Sequence, residues 1–400
     1  MGVYEPAEDS FLVQKYVREL ALGRVLDLGT GSGIQALTAM TNPNAHFILA
    51  VDQDETAVRA LQEKINQEHL RKLQVRQSDL FSEVPGKFNL IIFNPPYLPQ
   101  DKGLEDKAIY GGKKGWELSE QFFRQASAHL YPDGKILFLF SSLTNITKIQ
   151  EILHRHLFTF REVEQQKVAF ETLHLYLIEK TTILQELEQK GLEHLRYFTQ
   201  GKRGEIFRGM VDRSKFIKSH LAQKSDIIPV AVKIPRTGSA APNTIENEAQ
   251  YLQRANAVYL GPQYQFHTPR YLVMTFIEGD YILDWIQNNK KPAIRKVLIA
   301  LLQQCHTVDT LHFSKEEMHH PLKHIIVTKH NHPILVDFER CTETSKPKNV
   351  TQFVEFICRI EPELHHKGFT FLVPDLRTLA QKYKETLDKT ILTEIIIQLQ

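Results

Sequence analysis

The sequence is poor in cysteine. Only three cysteines occur in 400 residues, Cys305, Cys341 and Cys358, and no two of them are spaced as CxxC. An odd and small number of cysteines argues against a disulfide framework and against a zinc site built from thiolates. A reducing compartment fits this composition.

Long apolar runs are also missing. No stretch approaches about 18 consecutive apolar residues, the length that a membrane-spanning helix needs. The opening residues, MGVYEPAEDS, have neither the basic nor the apolar segment of a secretory leader. We therefore expect a cytoplasmic protein with no membrane partner.

The chain has little net charge, but the two halves differ. Lys and Arg number 49 against 47 Asp and Glu, a net charge of +2. Residues 1–180 carry 20 basic and 23 acidic side chains, and residues 181–400 carry 29 and 24, so the halves have net charges of −3 and +5. At about 100 to 200 residues per domain, a chain of this length predicts two or three domains. We place a boundary between domains 1–181 and 182–400.

In the first domain, short apolar runs alternate with helical patterns. Strand-like runs such as RVLDLG, HFILAVD, NLIIF and KILFLFSS are separated by amphipathic segments, and REVEQQKVAF and TLHLYLIEK follow as two adjacent strand-like runs. Alternation of strands and helices predicts an α/β fold with a mostly parallel sheet. The final two strand-like runs predict an antiparallel hairpin at the end of this sheet.

Polar residues and glycines follow three of these predicted strands. DLGTGSG, with Asp27, Gly29 and Gly31, lies between a strand and a helix, where glycines let the backbone approach a nucleotide-like ligand. Asp52 ends the second run, where a carboxylate can accept hydrogen bonds from ribose hydroxyls, and Asp79 ends the third, where it can face an adenine amino group. The three strand ends predict one cofactor cleft.

The fourth run ends in the sequence NPPY. The side-chain oxygen of Asn94 and the carbonyl of Pro95 offer two acceptors for a planar NH₂ group, and Tyr97 offers a flat face for stacking. The prolines fix the loop, so the acceptors are preorganised. This pattern favours methyl transfer to an amide or amino nitrogen over hydride transfer.

Five segments of this half carry a family resemblance: VYEPAEDSFL at residues 3–12, DLGTGSG, SDLF, NPPY and GGKKGWE. Together they resemble the HemK family of protein glutamine methyltransferases, in its archaeal and eukaryotic branch. The resemblance covers residues 1–180 and implies a class I, Rossmann-like methyltransferase fold with a seven-stranded sheet. It implies S-adenosylmethionine as methyl donor and the GGQ-loop glutamine of a peptide chain release factor as acceptor. Relatives of this branch use a small zinc-binding activator subunit, which the resemblance makes a candidate partner.

Carried over by position, the family pattern assigns two groups of residues. Asn94, Pro95 and Tyr97 would hold the glutamine amide. The cofactor would be lined by Ser10, Asp27, Gly29, Gly31, Asp52, Asp79 and Leu80.

NPPY also occurs in adenine N6 methyltransferases, which act on nucleic acid, and some relatives methylate lysine. A duplex enzyme must flip its base and grip the strand with a basic surface. The net charge of −3 disfavours a nucleic-acid substrate, and the mildly basic second half keeps this alternative open.

The second half begins with a hairpin pattern at residues 197–207, which contains Gly201 and Gly204. The strand pattern VAVKIPR, which contains Lys233, follows it. A strand-borne lysine after a glycine loop can pair nucleotide phosphates when a carboxylate on the next helix supports it. Glu246 and Glu248 are the candidates, and Glu248 fits the helical face better.

The order of these motifs, with KEEMHHPLKHIIV and ILVDFERC after them, resembles the RIO and KEOPS-type atypical serine/threonine kinases over residues 195–360. The resemblance implies an α+β kinase-like domain that binds ATP, with magnesium held by Asp337. Glu317 falls where the catalytic aspartate would lie, and His324 or Lys323 where the metal-binding asparagine would lie. These departures leave an active kinase or ATPase and a degenerate regulatory domain as alternatives. Both families act on or near the ribosome, so ribosome association is a further expectation.

Overall fold

The computed structural model describes residues 5–96, 114–201, 203–212, 226–236 and 244–399. The chain forms two compact units, residues 1–196 and 197–400. The boundary expected at residue 181 falls inside the first unit, where Thr181 caps a helix by accepting a hydrogen bond from the Leu184 amide. Within the described residues, no helix is long and apolar enough to span a membrane.

The first unit alternates strands and helices along most of its length, and a 3₁₀ turn at Ser127–His129 separates its fourth helix from its fifth strand. Its elements are α1 (Glu8–Leu20), β1 (Gly23–Leu28), α2 (Ile34–Met40), β2 (Ala45–Asp52), α3 (Glu55–Glu68), β3 (Leu73–Gln77), β4 (Phe88–Phe93), α4 (Glu117–Ala126), β5 (Leu130–Ser141), α5 (Ile146–Arg155), β6 (Phe158–Lys167), β7 (Thr172–Lys180) and α6 (Thr182–Gln189).

These strands form one seven-stranded sheet in the order β3-β2-β1-β4-β5-β7-β6. The first five strands run parallel, whereas β7 pairs antiparallel with both β5 and β6. This confirms the predicted class I, Rossmann-like methyltransferase fold, with a mixed sheet of seven strands that ends in an antiparallel hairpin. The core lies where apolar side chains of the central strands meet the helices, and Val25, Ile48, Ile92 and Leu137 there are fully buried.

The second unit contains a strand-rich part followed by a helical part. Its elements are β8 (Leu192–Gln200), which begins before the boundary, β9 (Gly204–Asp212), β10 (Ile227–Pro235), α7 (Thr244–Asn256), β11 (Tyr264–Thr268), β12 (Tyr271–Thr275), β13 (Asp280–Tyr281), α8 (Ile282–Asn288), α9 (Lys291–Thr310), β14 (Phe313–Lys315), β15 (Ile325–Val327), β16 (Pro333–Leu335), β17 (Cys341–Glu343), α10 (Asn349–Arg359), α11 (Glu361–His366), α12 (Val373–Thr386) and α13 (Lys389–Gln398).

The described residues of this unit form three sheets. The largest has the order β11-β12-β10-β9-β8, a three-stranded sheet has the order β13-β15-β16, and β14 pairs with β17. The helices α9, α10, α12 and α13 supply a large part of a second core, in which Leu298, Leu301, Phe353 and Tyr383 are fully buried. The α+β character expected for this part is present, and its kinase-like identity stays a prediction.

Candidate functional site

In the first unit, the predicted site residues lie at one edge of the sheet. The adjacent parallel strands β3, β2, β1 and β4 all end there, because parallel strands place their carboxyl ends on the same side. Asp79 follows β3, Asp52 ends β2, Gly29 follows β1 and Asn94 follows β4. Leu28 pairs with Phe93, so Gly29 and Asn94 leave the sheet side by side. The order of the strands therefore puts the predicted cofactor residues directly beside the predicted acceptor site.

The glycine loop between β1 and α2 is held by a buried carboxylate. Oδ2 of Asp27 accepts a hydrogen bond from the Thr30 hydroxyl at 2.6 Å and from the Ala36 amide at 3.0 Å. Gly29 and Gly31 both have positive φ, at 72° and 53°, which favours glycine at these positions. The carboxylate thus fixes the loop conformation and the start of the helix together.

The pKa of the Asp27 carboxyl is also clearly shifted from its ordinary value. Only 3% of the residue is exposed, and burial raises the pKa of its carboxyl to about 6, although the hydrogen bonds from Thr30 and Ala36 act in the opposite direction. Loss of hydration disfavours the charged form, which explains the upward shift.

Asp52 joins the ends of two neighbouring strands. Its Oδ2 accepts from the Gly31 amide at 2.8 Å, and its Oδ1 accepts from the Asp54 amide at 2.9 Å. Asp79 is exposed, whereas Leu80 and Ser10 are buried and the Ser10 carbonyl accepts a hydrogen bond from Gln35. Asp52 and Asp79 therefore lie at the carboxyl ends of their strands, and Ser10 is tied to α2.

The geometry around the glycine loop fits a bound nucleoside. A Cβ placed on Gly29 would meet no atom within 4 Å among the described residues, so open space faces the loop at this point. A Cβ on Gly33 would instead lie 2.7 Å from Cδ1 of Leu61, which ties that glycine to the packing of α3. Open space beside the two carboxylates of Asp52 and Asp79 matches the chemistry of a ribose and an adenine.

Asn94 has one end of its amide anchored and the other end unsatisfied. Its Nδ2 donates a hydrogen bond of 2.8 Å to Oδ2 of Asp9, a buried residue of α1. Its Oδ1 is buried and finds no hydrogen-bond partner among the residues that the structure describes. A buried acceptor without a donor costs free energy unless a ligand supplies one. The arrangement therefore presents an oriented acceptor to a substrate N–H.

The other residues of NPPY are placed in part. Pro95 is buried directly beyond β4 and Pro96 is half-buried. Tyr97 lies outside the described residues, as does most of the GGKKG segment. Sequence reasoning missed Asp9, although the acidic pair at the start of α1 stands in the motif that supported the family resemblance.

In the second unit, Lys233 lies among three carboxylates. Its ammonium on β10 donates a hydrogen bond to Oε2 of Glu248 at 2.6 Å and to Oδ1 of Asp337 at 3.0 Å, and Oε2 of Glu339 lies 2.9 Å away. Glu248, on the buried face of α7, makes the contact, whereas Glu246 pairs with His267. The strand, the helix and the loop after β16 thus converge on one ammonium.

The charged groups of this cluster shift one another's pKa values. Burial lowers the pKa of Lys233, but the carboxylates of Glu248, Asp337 and Glu339 outweigh it and hold that pKa well above its ordinary value. Burial favours a higher pKa for Asp337, yet the neighbouring Lys233 and Lys315 hold it far below its usual range. These shifts favour the charged form of Lys233 and the charged form of Asp337.

A second group of contacts connects Glu317 to Asp337. Oε2 of Glu317 lies 2.7 Å from Nε2 of His324, and Nδ1 of His324 lies 3.3 Å from Nζ of Lys315. Lys315 also donates to the Asp337 carbonyl at 2.6 Å. Because an ammonium can only donate, Nδ1 of His324 is the acceptor and Nε2 carries the proton toward Glu317. Lys323 is exposed, so His324 is the member of the pair that reaches this group.

Both acidic residues of this group have unusual backbones. Glu317 and Asp337 have φ values of 68° and 64°, in the left-handed region that side chains with a Cβ rarely adopt. Such conformations cost roughly 1 to 3 kcal/mol and cluster at functional sites. Lys315 is 2% exposed, and sequence reasoning missed it because a lysine at the end of a short strand gives no signal of burial.

The predicted glycine hairpin forms between β8 and β9. The Gly201 amide donates to the Gly204 carbonyl at 2.8 Å, which closes the turn. A Cβ on Gly204 would lie 2.9 Å from the carbonyl oxygen of Ile234, so packing against β10 explains that glycine. Gly201 is exposed in the turn.

The donor set suits a nucleotide with its magnesium ion. Carboxylate oxygen is the ligand that magnesium prefers, and the Asp337 side chain is 41% exposed, which leaves it accessible. Among the described residues, ligand oxygens of Glu248, Asp337 and Glu339 lie within 4.8 Å of one another. The ammonium of Lys233 stands between them, so Asp337 is the member that fits as a ligand to an outside cation.

Comparison with known proteins gives relatives of the first unit. Residues 9–172 match the family described as methyltransferase small domain. A protein of Methanocaldococcus jannaschii that carries the name protein N5-glutamine methyltransferase is 35% identical over 176 residues, which cover 43% of this chain and 88% of that protein. Human methyltransferase HEMK2 is 30% identical over 165 residues, 38% of this chain and 77% of that protein.

Bacterial proteins and a solved structure are also similar. A release factor glutamine methyltransferase of Deinococcus radiodurans is 31% identical over 137 residues, 32% of this chain and 48% of that protein. The E. cuniculi Mtq2-Trm112 complex, described as methylating the termination factor eRF1, contains a chain that is 22% identical and covered in full, with a TM-score of 0.38 over 45% of this chain.

Proposed function

The chain belongs, through its N-terminal unit, to the family of HemK-type protein glutamine N5-methyltransferases, and we propose that its substrate is the GGQ-loop glutamine of a peptide chain release factor. The methyl donor of this family, S-adenosylmethionine, suits the glycine loop and the carboxylates of Asp52 and Asp79. The names of similar proteins support a release factor as substrate. The observation that carries the proposal is the buried and unsatisfied Oδ1 of Asn94, beside the glycine loop.

The residues of the acceptor site act by positioning. A planar amide NH₂ has two hydrogens, and Oδ1 of Asn94 and the Pro95 carbonyl can accept one each. Two such hydrogen bonds fix the plane of the amide, so that the nitrogen lone pair, which is perpendicular to this plane, faces the donor side of the cleft. Bound S-adenosylmethionine supplies a methyl group activated by the positive charge on sulfur. Because Gly29 and Asn94 leave adjacent strands, donor and acceptor are held close, and such positioning can lower a barrier by about 7 to 11 kcal/mol.

Asp9 fixes the orientation of the Asn94 side chain. Since Nδ2 of Asn94 donates to Asp9, the amide of Asn94 cannot rotate without losing a charge-assisted hydrogen bond. The oxygen is thereby kept toward the substrate. The small zinc-binding activator and ribosome association implied by the family resemblances stay predictions.

The substrate is tested by methyl transfer from labelled S-adenosylmethionine. Purified release factor, the same factor with its GGQ glutamine changed to alanine, DNA and RNA are offered in parallel to the full chain. Label on the intact factor and none on the alanine variant is the expected result. Label on DNA or RNA, with none on release factor, would identify a nucleic-acid adenine methyltransferase instead.

For the second unit, we propose binding of ATP with magnesium at a kinase-like site. The observation that favours it is the buried Lys233–Glu248 pair with Asp337 at 3.0 Å from the same ammonium. A strand lysine held by a helix carboxylate, opposite a metal-binding aspartate, is the arrangement that positions nucleotide phosphates. Gly201 and Gly204 in the neighbouring hairpin and Glu317 near Asp337 complete the proposed site.

Nucleotide binding is measured by titration calorimetry of the full chain with ATP and magnesium. Lys233→Ala is expected to abolish binding, because it removes the cation and leaves three carboxylates facing the phosphates. Equal affinity in the wild type and the variant would show that ATP does not use this site. Binding without transfer to any hydroxyl substrate would favour the regulatory alternative.

A further inference from the structure

The phosphate-binding lysine of the proposed nucleotide site is already surrounded by anions. An ammonium has three N–H donors. Two of them reach Glu248 and Asp337, and Oε2 of Glu339 lies 2.9 Å from the same nitrogen, at the distance expected of a phosphate oxygen. A phosphate can therefore reach Lys233 only if one of the three carboxylates moves away.

Glu339 differs from the other two because it bridges two cations. Its second oxygen, Oε1, accepts a hydrogen bond from Nη1 of Arg203 at 3.0 Å. Arg203 lies in the turn between β8 and β9, immediately before Gly204, and its side chain is 38% exposed. One anionic group with two oxygens held between a lysine and an arginine reproduces the way these residues bind phosphate.

Glu339 is also the carboxylate that a phosphate can displace. Its side chain is 7% exposed and borders open space, whereas the more exposed Asp337 is the proposed ligand to magnesium. Glu248 is 1% exposed on the inner face of α7, so it is fixed by packing. The Glu339 backbone carbonyl is anchored by Nδ2 of Asn247 at 2.7 Å, which restrains the main chain, so displacement requires a rotation of the side chain. A cavity of about 450 Å³ borders Glu339, Arg203 and Asn247 and can receive the displaced carboxylate.

We propose that Arg203 and Lys233 together form the phosphate subsite for a nucleoside triphosphate, and that Glu339 occupies this subsite until a phosphate group displaces it. The inference rests on the proposed nucleotide binding of this unit. It assigns Arg203 as a phosphate ligand and makes Glu339 a competitor that sets the affinity. Since the carboxylate and the phosphate compete for the same two cations, removal of the carboxylate charge strengthens phosphate binding.

A magnesium-binding role for Glu339 predicts the opposite result. Ligand oxygens of Glu248, Asp337 and Glu339 lie close enough to surround one cation, but the Lys233 ammonium already stands within 3.0 Å of each residue. A divalent ion in the same space would be repelled by that charge. If Glu339 were a ligand to magnesium, its loss would weaken nucleotide binding, and only when magnesium is present.

The test is titration calorimetry of the full-length chain with ATP, with and without magnesium, and with inorganic triphosphate as a probe of the phosphate subsite alone. Glu339→Gln keeps the shape of the side chain and removes its charge. It is expected to bind ATP and triphosphate about 10-fold more tightly, since an interaction with a charged group contributes this much. Arg203→Gln is expected to bind both about 10-fold more weakly.

The matched control is Glu343→Gln, which removes a carboxylate from β17, where Glu343 is exposed and pairs with Arg254. Its affinities should equal those of the wild type. Glu339→Asp, which keeps the charge but is too short to span Arg203 and Lys233, gives a second reading should Glu339→Gln melt at a lower temperature. This variant should also bind ATP more tightly than the wild type.

The possible outcomes separate the two proposals. Unchanged or weaker ATP binding by both Glu339 variants overturns the competition, and unchanged binding by Arg203→Gln overturns the assignment of that residue. In either case ATP binding by the wild type leaves the nucleotide proposal intact. Failure of the wild type and of every variant to bind ATP or triphosphate overturns the nucleotide proposal itself, whereas binding by Glu339→Gln alone supports both.

Discussion

The two ends of the Asn94 side-chain amide have different functions. The NH₂ end binds Asp9 at 2.8 Å, and the oxygen end stays buried and available. An asparagine amide can flip by 180° at small cost unless a partner fixes it. Asp9 is such a partner, because a carboxylate accepts hydrogen bonds and cannot donate one, so only the NH₂ end of Asn94 can face it. The acceptor oxygen is thereby directed by a residue 85 positions earlier in the chain.

Asp9→Ala should lower the rate constant of methyl transfer by roughly 10-fold, since a hydrogen bond to a charged group contributes about 1.5 kcal/mol. Cofactor affinity should change little, because Asp9 acts through Asn94. Single-turnover kinetics with equilibrium cofactor binding separates the two quantities. Asp9→Asn retains an acceptor and should recover part of the rate. An equal loss in both variants, with weakened cofactor binding, would show that Asp9 supports the wall of the cleft instead.

The raised pKa of Asp27 predicts that the stability of the folded protein depends on pH. Its folded-state pKa of about 6 lies above the value of 3.8 for an ordinary aspartate, so ionisation of the buried carboxyl opposes folding above pH 6. As the pH falls below 6, the folded chain takes up this proton while the unfolded chain does not, so the cost decreases steadily until the pH reaches the unfolded-state value of 3.8. One pKa unit corresponds to 1.36 kcal/mol, so between about pH 7.5 and about pH 5 the gain is about 1.4 kcal/mol.

Urea unfolding of the wild type and of Asp27→Asn at both pH values measures this effect. The amide does not titrate, so the difference in free energy of unfolding between the two proteins isolates Asp27 from every other group. The wild type should gain stability relative to Asp27→Asn on acidification. A difference that stays constant with pH, or that moves in the opposite direction, would contradict the raised pKa.

At the scale of the elements, the loop between β1 and α2 combines two kinds of glycine. Both Gly29 and Gly33 have positive φ, but the space beside Gly29 is open and that beside Gly33 is filled by Leu61. Gly86, in a turn before β4, also has positive φ, and a Cβ there would make only an ordinary contact with the Arg24 side chain at 3.9 Å. The three positions share the backbone requirement and differ in their surroundings.

Alanine at each of these glycines should therefore give three different results. All three variants pay about 1 kcal/mol for a left-handed residue. Gly33→Ala should lose more stability, because its methyl group meets Leu61. Gly29→Ala should also weaken cofactor binding by roughly 10-fold, since its methyl group enters the cleft. Melting curves and cofactor titrations give both quantities, and cofactor binding as weak in Gly86→Ala as in Gly29→Ala would remove Gly29 from the site.

Elements with a local signal could be predicted from the sequence. The parallel strands, the final hairpin and the strand ends at Asp27, Asp52 and Asn94 follow from apolar runs and short motifs, and the sheet has the expected form. The contacts that join distant segments could not. Asp9 with Asn94, Arg203 with Glu339 and Lys315 with Asp337 depend on how strands and loops pack, and periodicity along the chain carries no information about such pairs.

At the scale of the whole molecule, the nearly neutral chain contains two units with separate cores and separate charge clusters. The first unit is slightly acidic and collects carboxylates and a buried amide at one sheet edge. The second is slightly basic, and its carboxylates surround lysines. Family membership rests on the first unit, since the relatives described above align with less than half of the chain. The nucleotide site of the second unit is a proposal from its geometry.

Methyl transfer by Asn94→Ala tests the central claim most directly. The measurement is the single-turnover rate of transfer from S-adenosylmethionine to release factor, together with the affinity for the cofactor, in the full-length wild type and variant. Loss of a preorganised group at a reacting centre costs on the order of 100-fold or more in rate. We predict that loss with cofactor affinity unchanged. An undiminished rate in Asn94→Ala would contradict the assignment of the acceptor site.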